Sequence, residues 1–96
     1  MPAKFQLGQI VATPALLEKM QETGDSPLPF IARHQNCGWG IVCDSDKRAN
    51  EAALLDGSRI FSAYQLSDGS KCWIITEAVN EHGQRASSCL LLPSDY

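Results

Sequence analysis

The stretch RIFSAYQLSDGSKCWIITEAV, Arg59 to Val79, sets two runs of aromatic, aliphatic and β-branched residues on either side of Ser67-Asp68-Gly69-Ser70. Asp-Gly between such runs marks a β-hairpin, because glycine supplies the positive φ of a tight reversal at no steric cost. Side chains alternate along a strand, so Phe61, Ala63 and Gln65 share one face of the first run while Ile60, Ser62, Tyr64 and Leu66 share the other. In the second run Cys72, Ile74 and Thr76 oppose Trp73, Ile75 and Glu77. A looser connection, NEHGQRA, leads to a third run, SSCLLLP, in which Cys89 and Leu91 oppose Leu90 and Leu92. The reading is a three-stranded antiparallel meander in which neither face is wholly polar. Helices can cover one face, and a partly apolar second face suits contact with another molecule.

The residues before Arg59 carry helical signals. Thr13 followed by Pro14 is a helix start: the hydroxyl accepts from an orphan amide, and proline gives up a donor that has no helical partner there. The helix runs through ALLEKMQET to Gly24 and turns Leu16, Leu17 and Met20 toward a core. Asp25 or Ser26 caps a second helix opened by Pro27 and reaching about Asn36, with Leu28, Phe30 and Ile31 inward. CGWGIVC, Cys37 to Cys43, reads as a bend because glycines flank Trp39. Asp44 or Ser45 caps a third helix, DKRANEAALL, closing at Gly57, with Ala49, Ala52, Ala53 and Leu55 as a small-residue face for the sheet. KFQLGQIVA, Lys4 to Ala12, is a short strand or an extended lead-in. The expected fold is therefore one α+β domain over residues 1–96. Its N-terminal helices pack on a C-terminal three-stranded antiparallel meander, with or without a short N-terminal strand.

Composition bounds the function. Ninety-six residues, 44% hydrophobic and 20% charged, suit a chain that folds on its own around one core. Eight Lys plus Arg against eleven Asp plus Glu leave too little cation to hold a phosphate backbone by counterion release, so direct nucleic-acid binding is not expected. The N-terminus has no secretory pattern and no apolar run is long enough for a bilayer, so the expected place is the cytoplasm, where cysteines stay reduced, without a membrane partner.

No catalytic motif stands out. Nucleotide-binding glycine loops are absent, and the carboxylates around Asp44, Asp46, Glu51, Asp68 and Glu77 read as solvated surface. The expectation is no enzyme and no cofactor. HQNCGWGIVC brings His34, Cys37 and Cys43 within ten residues, and imidazole with thiolate is a ligand set zinc prefers. A small zinc-binding or thiol-redox protein is therefore the alternative. Against it, no second ligand pair follows, and strand cysteines are commonly small buried hydrophobes. For contact with a partner the candidates are the aromatic residues Trp39, Tyr64 and Trp73, with the charged Arg59 and Glu77 bounding the strands.

LGQIVATP, the run Asp46 to Glu51, DGSK to WIITEA, and LLLPSDY together resemble a group of small accessory proteins of bacterial plasmids and other mobile elements, the plasmid-related proteins. The resemblance extends over most of the chain. It departs from the group in the longer loop after Glu77, VNEHGQRASS, and in the cysteines. It carries no reaction, cofactor or catalytic residue. It implies a setting in which small proteins inhibit host defence, as anti-CRISPR and anti-restriction proteins do by occupying a partner's surface. The expected partner is thus a bacterial defence component, bound by a monomer or a homodimer formed through the sheet.

Overall fold

The computed structural model describes residues 5–96. In chain order they form strand β1 (Gln9–Ala12), helices α1 (Pro14–Thr23), α2 (Pro27–Gln35) and α3 (Asp44–Asp56), and strands β2 (Ile60–Gln65), β3 (Lys71–Thr76) and β4 (Ser87–Leu91). A 3-10 turn, Pro93–Asp95, follows. The protein is α+β, with a four-stranded sheet in the order β1-β4-β3-β2.

The meander is present: β2 pairs antiparallel with β3, and β3 with β4. Its first reversal has the expected chemistry. Leu66 N–H donates to Ser70 C=O at 2.7 Å, the Asp68 carboxylate accepts from Ser70 N–H at 2.8 Å, and Gly69 takes φ 90°. The expectation of three antiparallel strands is corrected by β1, which pairs parallel with β4 from Gln9 opposite Ser87 to Ala12 opposite Leu90, so the sheet is mixed. From there Thr13 N–H donates to Leu90 C=O at 3.0 Å and the chain enters α1. Lys4, the first residue of the expected lead-in, lies outside the described residues.

Local chemistry explains the helix ends. Thr13 Oγ1 accepts from Leu16 N–H at 3.3 Å, and Gly24 closes α1 in a left-handed conformation, its N–H on Met20 C=O. Pro27 and Pro29 both fall in the first turn of α2, where no N–H has a helical acceptor, so the second proline leaves the helix regular. α3 starts at Asp44, two residues ahead of the expected run DKRANEAALL, with Cys43 rather than Asp44 or Ser45 as its N-cap and no side-chain capping bond.

α1 and α2 cover one face of the sheet. Leu16, Met20 and Phe30 pack on Tyr64, Leu66, Cys72, Ile74 and Leu90. Leu28, expected inside, is exposed, because α2 buries the face of Phe30 and His34 and Leu28 falls on the opposite side of the helix. A second cluster joins Trp39, Val42, Ala53, Ile60 and Ala63.

The face assigned to α3 also needs correction. Its buried residues are Asn50 and Ala53, while Ala49 and Ala52 are exposed and Leu55 is 92% exposed. The reason is that α3 flanks the edge of β2. The Asn50 amide donates to Phe61 C=O at 2.7 Å and accepts from Phe61 N–H at 3.0 Å, satisfying that edge as a neighbouring strand would. Further along, Ile41 N–H donates to Ala63 C=O at 2.8 Å and Ala63 N–H to Trp39 C=O at 3.1 Å. The approach depends on Gly40, at φ 80°, where a Cβ would lie 2.0 Å from Ala63 O. Asn50→Leu strands both Phe61 groups and is expected to cost about 2 kcal/mol, read as a lower urea midpoint at unchanged slope. Asn50→Asp keeps the acceptor but buries a carboxylate oxygen against Phe61 C=O, and is expected to cost at least as much as leucine in the same measurement. Equal midpoints for leucine and the wild type would remove the edge-clip role.

Candidate functional site

With α1 and α2 on one face and α3 at the edge, the opposite face of β2 to β4 has no covering layer. Phe61, Trp73, Ile75 and Cys89 stand on it half-buried. The Phe61 and Trp73 rings meet edge to face, 5.1 Å apart and at 90°.

Residues after β4 extend this face. The Asp95 carboxylate accepts from the Thr13 hydroxyl at 2.7 Å and from Leu92 N–H at 3.1 Å, which fixes the 3-10 turn and brings Tyr96 back over the sheet. Its ring lies 5.8 Å from that of Trp73, at 67°. Arg59 Nη1 is 3.5 Å from the Tyr96 hydroxyl.

The rings bound a groove of about 350 Å³ with Asp46, Arg59 and Ile75 on its walls. On the other side of the Phe61–Trp73 pair lies a second depression of about 300 Å³, bordered by Ile41, Lys71 and Pro93. Among the described residues Trp73 Nε1 has no hydrogen-bond acceptor, and no buried side-chain nitrogen or oxygen among them is unpaired. The indole N–H of Trp73, a residue that lines both depressions, therefore opens to solvent.

Of the residues singled out by sequence, Trp73 and Arg59 come together in this groove. Glu77 is exposed just past β3 and lines neither depression. Tyr64 and Trp39 are corrected: both belong to the core. Tyr64 is 1% exposed, its hydroxyl donates to Gly38 C=O at 2.5 Å, and the Arg33 guanidinium lies 4.6 Å above its ring. Trp39 is 5% exposed and donates its indole N–H to Glu51 at 3.2 Å. Even indexing along β2 put Tyr64 on the face that α1 and α2 cover, so neither ring meets a partner while the fold is closed. Phe61 and Ile75 were recoverable from the alternation that places them beside Trp73. Tyr96 carried no such signal, since its position follows from the Thr13–Asp95 bond.

The zinc or thiol alternative built on His34, Cys37 and Cys43 is corrected at His34. That ring is 0% exposed, its Nδ1 is held by the Ser62 hydroxyl, and its Nε2 lies 2.8 Å from Thr76 Oγ1. Thr76 pairs with Ser88 at 2.7 Å, and Ser88 donates to Leu7 C=O at 2.8 Å. Both ring nitrogens are thus engaged within the core. Among the described residues no three His, Cys, Asp or Glu side chains converge to hold a metal ion. Cys37 sits in the turn that ends α2, at φ 67°, and Cys43 is exposed ahead of α3. Burial, with the Asp25 charge second, pushes the Cys72 thiol up to about 12. Burial, then Asp95 and Glu77, also raises Cys89, so neither is a thiolate nucleophile at neutral pH.

Sequence reasoning also passed over Arg85. Its Nη1 donates to Ser58 C=O at 2.8 Å and Glu77 C=O at 2.9 Å, and its Nη2 to Ala53 C=O at 3.1 Å in the last turn of α3. One guanidinium thereby joins α3, the lead into β2 and the end of β3, the frame from which Arg59 and Trp73 project. Among the described residues no helix is long and apolar enough to cross a membrane. Compared with protein-family models, curated proteins and solved structures, the chain gives no match.

Proposed function

We propose that this protein is a non-enzymatic binding module that inhibits a bacterial defence complex, of the CRISPR or restriction kind, by covering part of its surface. The observation that carries the reading is the uncovered sheet face. Phe61, Trp73 and Tyr96 stand there as half-exposed or exposed rings with Arg59 beside them, the residue types that dominate protein interfaces. The titratable groups a thiol or imidazole mechanism would need are committed elsewhere, His34 to core hydroxyls and Cys72 to an apolar interior. The defence setting rests on the resemblance of LGQIVATP, DGSK to WIITEA and LLLPSDY to proteins of mobile elements.

The test is a plaque assay. In cells whose CRISPR or restriction system attacks a phage, the wild-type protein is expected to restore plating of that phage. Trp73→Ala and Arg59→Glu, each with an unchanged unfolding midpoint, are expected to abolish the rescue. Absence of rescue across both kinds of defence system would overturn the inhibitor reading, and rescue that survives both substitutions would overturn the surface.

A further inference from the structure

We infer that the groove around Trp73 takes an extended, proline-rich segment of a partner protein in the polyproline II conformation. The inference deepens the binding-module reading and rests on it for the existence of a partner.

Three observations point to this chemistry. The first is the disposition of the rings. Phe61 and Tyr96 each stand edge to face against Trp73, at 90° and 67°. Rings so arranged touch one another and build a stepped ridge rather than a flat platform, and the depressions beside such a ridge accept a pyrrolidine ring. The second is the pair of depressions, about 350 and 300 Å³, which share Asp46, Phe61 and Trp73 and so lie side by side across one aromatic ridge. Polyproline II rises about 3.1 Å per residue with three residues per turn, so prolines along one edge would drop into the one depression and then the other. The third is the solvent-facing N–H of Trp73, the residue that lines both. A polyproline segment has no amide hydrogens but presents carbonyl oxygens all along its length, and a lone donor in an aromatic groove is the complement of that pattern.

The rim argues against other occupants. Arg59 and Lys71 are set against Asp46, so the charge is mixed, whereas a nucleic-acid strand needs both net cation and flat stacking surfaces. With Arg59 and Asp46 both lining the groove, the rim would instead complement a segment carrying charges of both signs.

The experiment is a titration of the wild-type protein followed by NMR. The two indole N–H resonances are distinguished by Trp73→Phe. A synthetic proline decamer is expected to shift the Trp73 resonance saturably, with a dissociation constant tighter than about 1 mM, while the Trp39 resonance stays in place. A glycine-serine peptide of equal length is expected to leave both unmoved. Trp73→Phe keeps a ring and removes the donor, and Tyr96→Ala removes one wall at the exposed end of the chain. Each is expected to weaken binding about tenfold, read from backbone amide shifts of β2 and β3, with an unchanged unfolding midpoint. No shift with the decamer, equal shifts with the glycine-serine peptide, tighter binding of an oligothymidylate, or a face closed by a second copy in light scattering would each overturn the proposal. Plaque rescue that depends on Trp73 without decamer binding would remove the proline chemistry alone. Decamer binding without plaque rescue would remove the defence reading alone.

Discussion

Arg85→Ala is expected to lower the free energy of unfolding by about 4 kcal/mol, a large share of the ~5–15 kcal/mol that holds a domain of this size together. The guanidinium is buried and makes three charge-assisted bonds to carbonyls of Ala53, Ser58 and Glu77. Bonds of this kind are worth about 1.5–3 kcal/mol each, and truncation leaves acceptors without donors while water entering the gap recovers part of the loss. Ala53 C=O keeps a second donor in Gly57 N–H at 2.9 Å, so the carbonyls of Ser58 and Glu77 bear most of the cost. Arg85→Lys retains the charge but cannot fork across three acceptors, and is expected to recover less than half. Urea denaturation measures both. A loss under about 1 kcal/mol for alanine would mean that α3 and the hairpin are held together by other contacts.

The second large effect is on pH dependence. Burial, reinforced by the Arg85 charge, depresses His34 to about 4 from its ordinary 6.5. Above pH 6.5 the ring is neutral in folded and unfolded chains alike, and it contributes no slope. Below 6.5 the unfolded chain takes up a proton that the folded chain refuses until about pH 4, so stability falls as pH drops through that window. The shift corresponds to a loss of about 3 kcal/mol, complete near pH 4. Asp25, Asp56 and Asp68 are lowered from 3.8, first by bonds from Ser67, Ser58 and Ser70 respectively, so what they contribute is present above 3.8 and is lost at more acid pH. The two regimes therefore separate. Unfolding free energies measured at intervals from pH 7 to 4 are expected to decline in the wild type. In His34→Gln, less stable at pH 7, the decline is expected to flatten. An equal slope in the variant would assign the acid sensitivity to other groups.

How far the fold was legible follows from how local its determinants are. Thr13-Pro14 with Gly24, and Ser67 to Ser70, act within a few residues, so α1 and the first hairpin could be read directly. The pairing of β1 with β4 joins segments at opposite ends of the chain, and no spacing within GQIVA announces a parallel partner. The misreading of α3 has a different origin. A helix that flanks an edge buries the residue able to bond the strand backbone, which is the polar Asn50, and an apolar-face rule points instead at Ala49, Ala52 and Leu55. His34 and Arg85 were missed for the same reason, since a buried polar residue looks like a surface one until its partners are known. At the candidate site, alternation gave the two faces of each strand but not which face of β2 continues into which face of β3, so Tyr64 and Trp73 were grouped although only Trp73 stands on the open side. Which side the helices cover depends on how α1 and α2 dock, and that was not contained in the strands.

The bond between Thr13 and Asp95, 82 positions apart, and that between Leu7 and Ser88, 81 apart, set an order of events during synthesis. β1 leaves the ribosome long before the strand it joins, so α1 must wait beside an incomplete sheet. Closing so long a loop is entropically costly and is the late step in chains rich in distant contacts. Until then the apolar edge of the nascent hairpin lies bare, which makes translation the interval when this small protein is most open to misassembly.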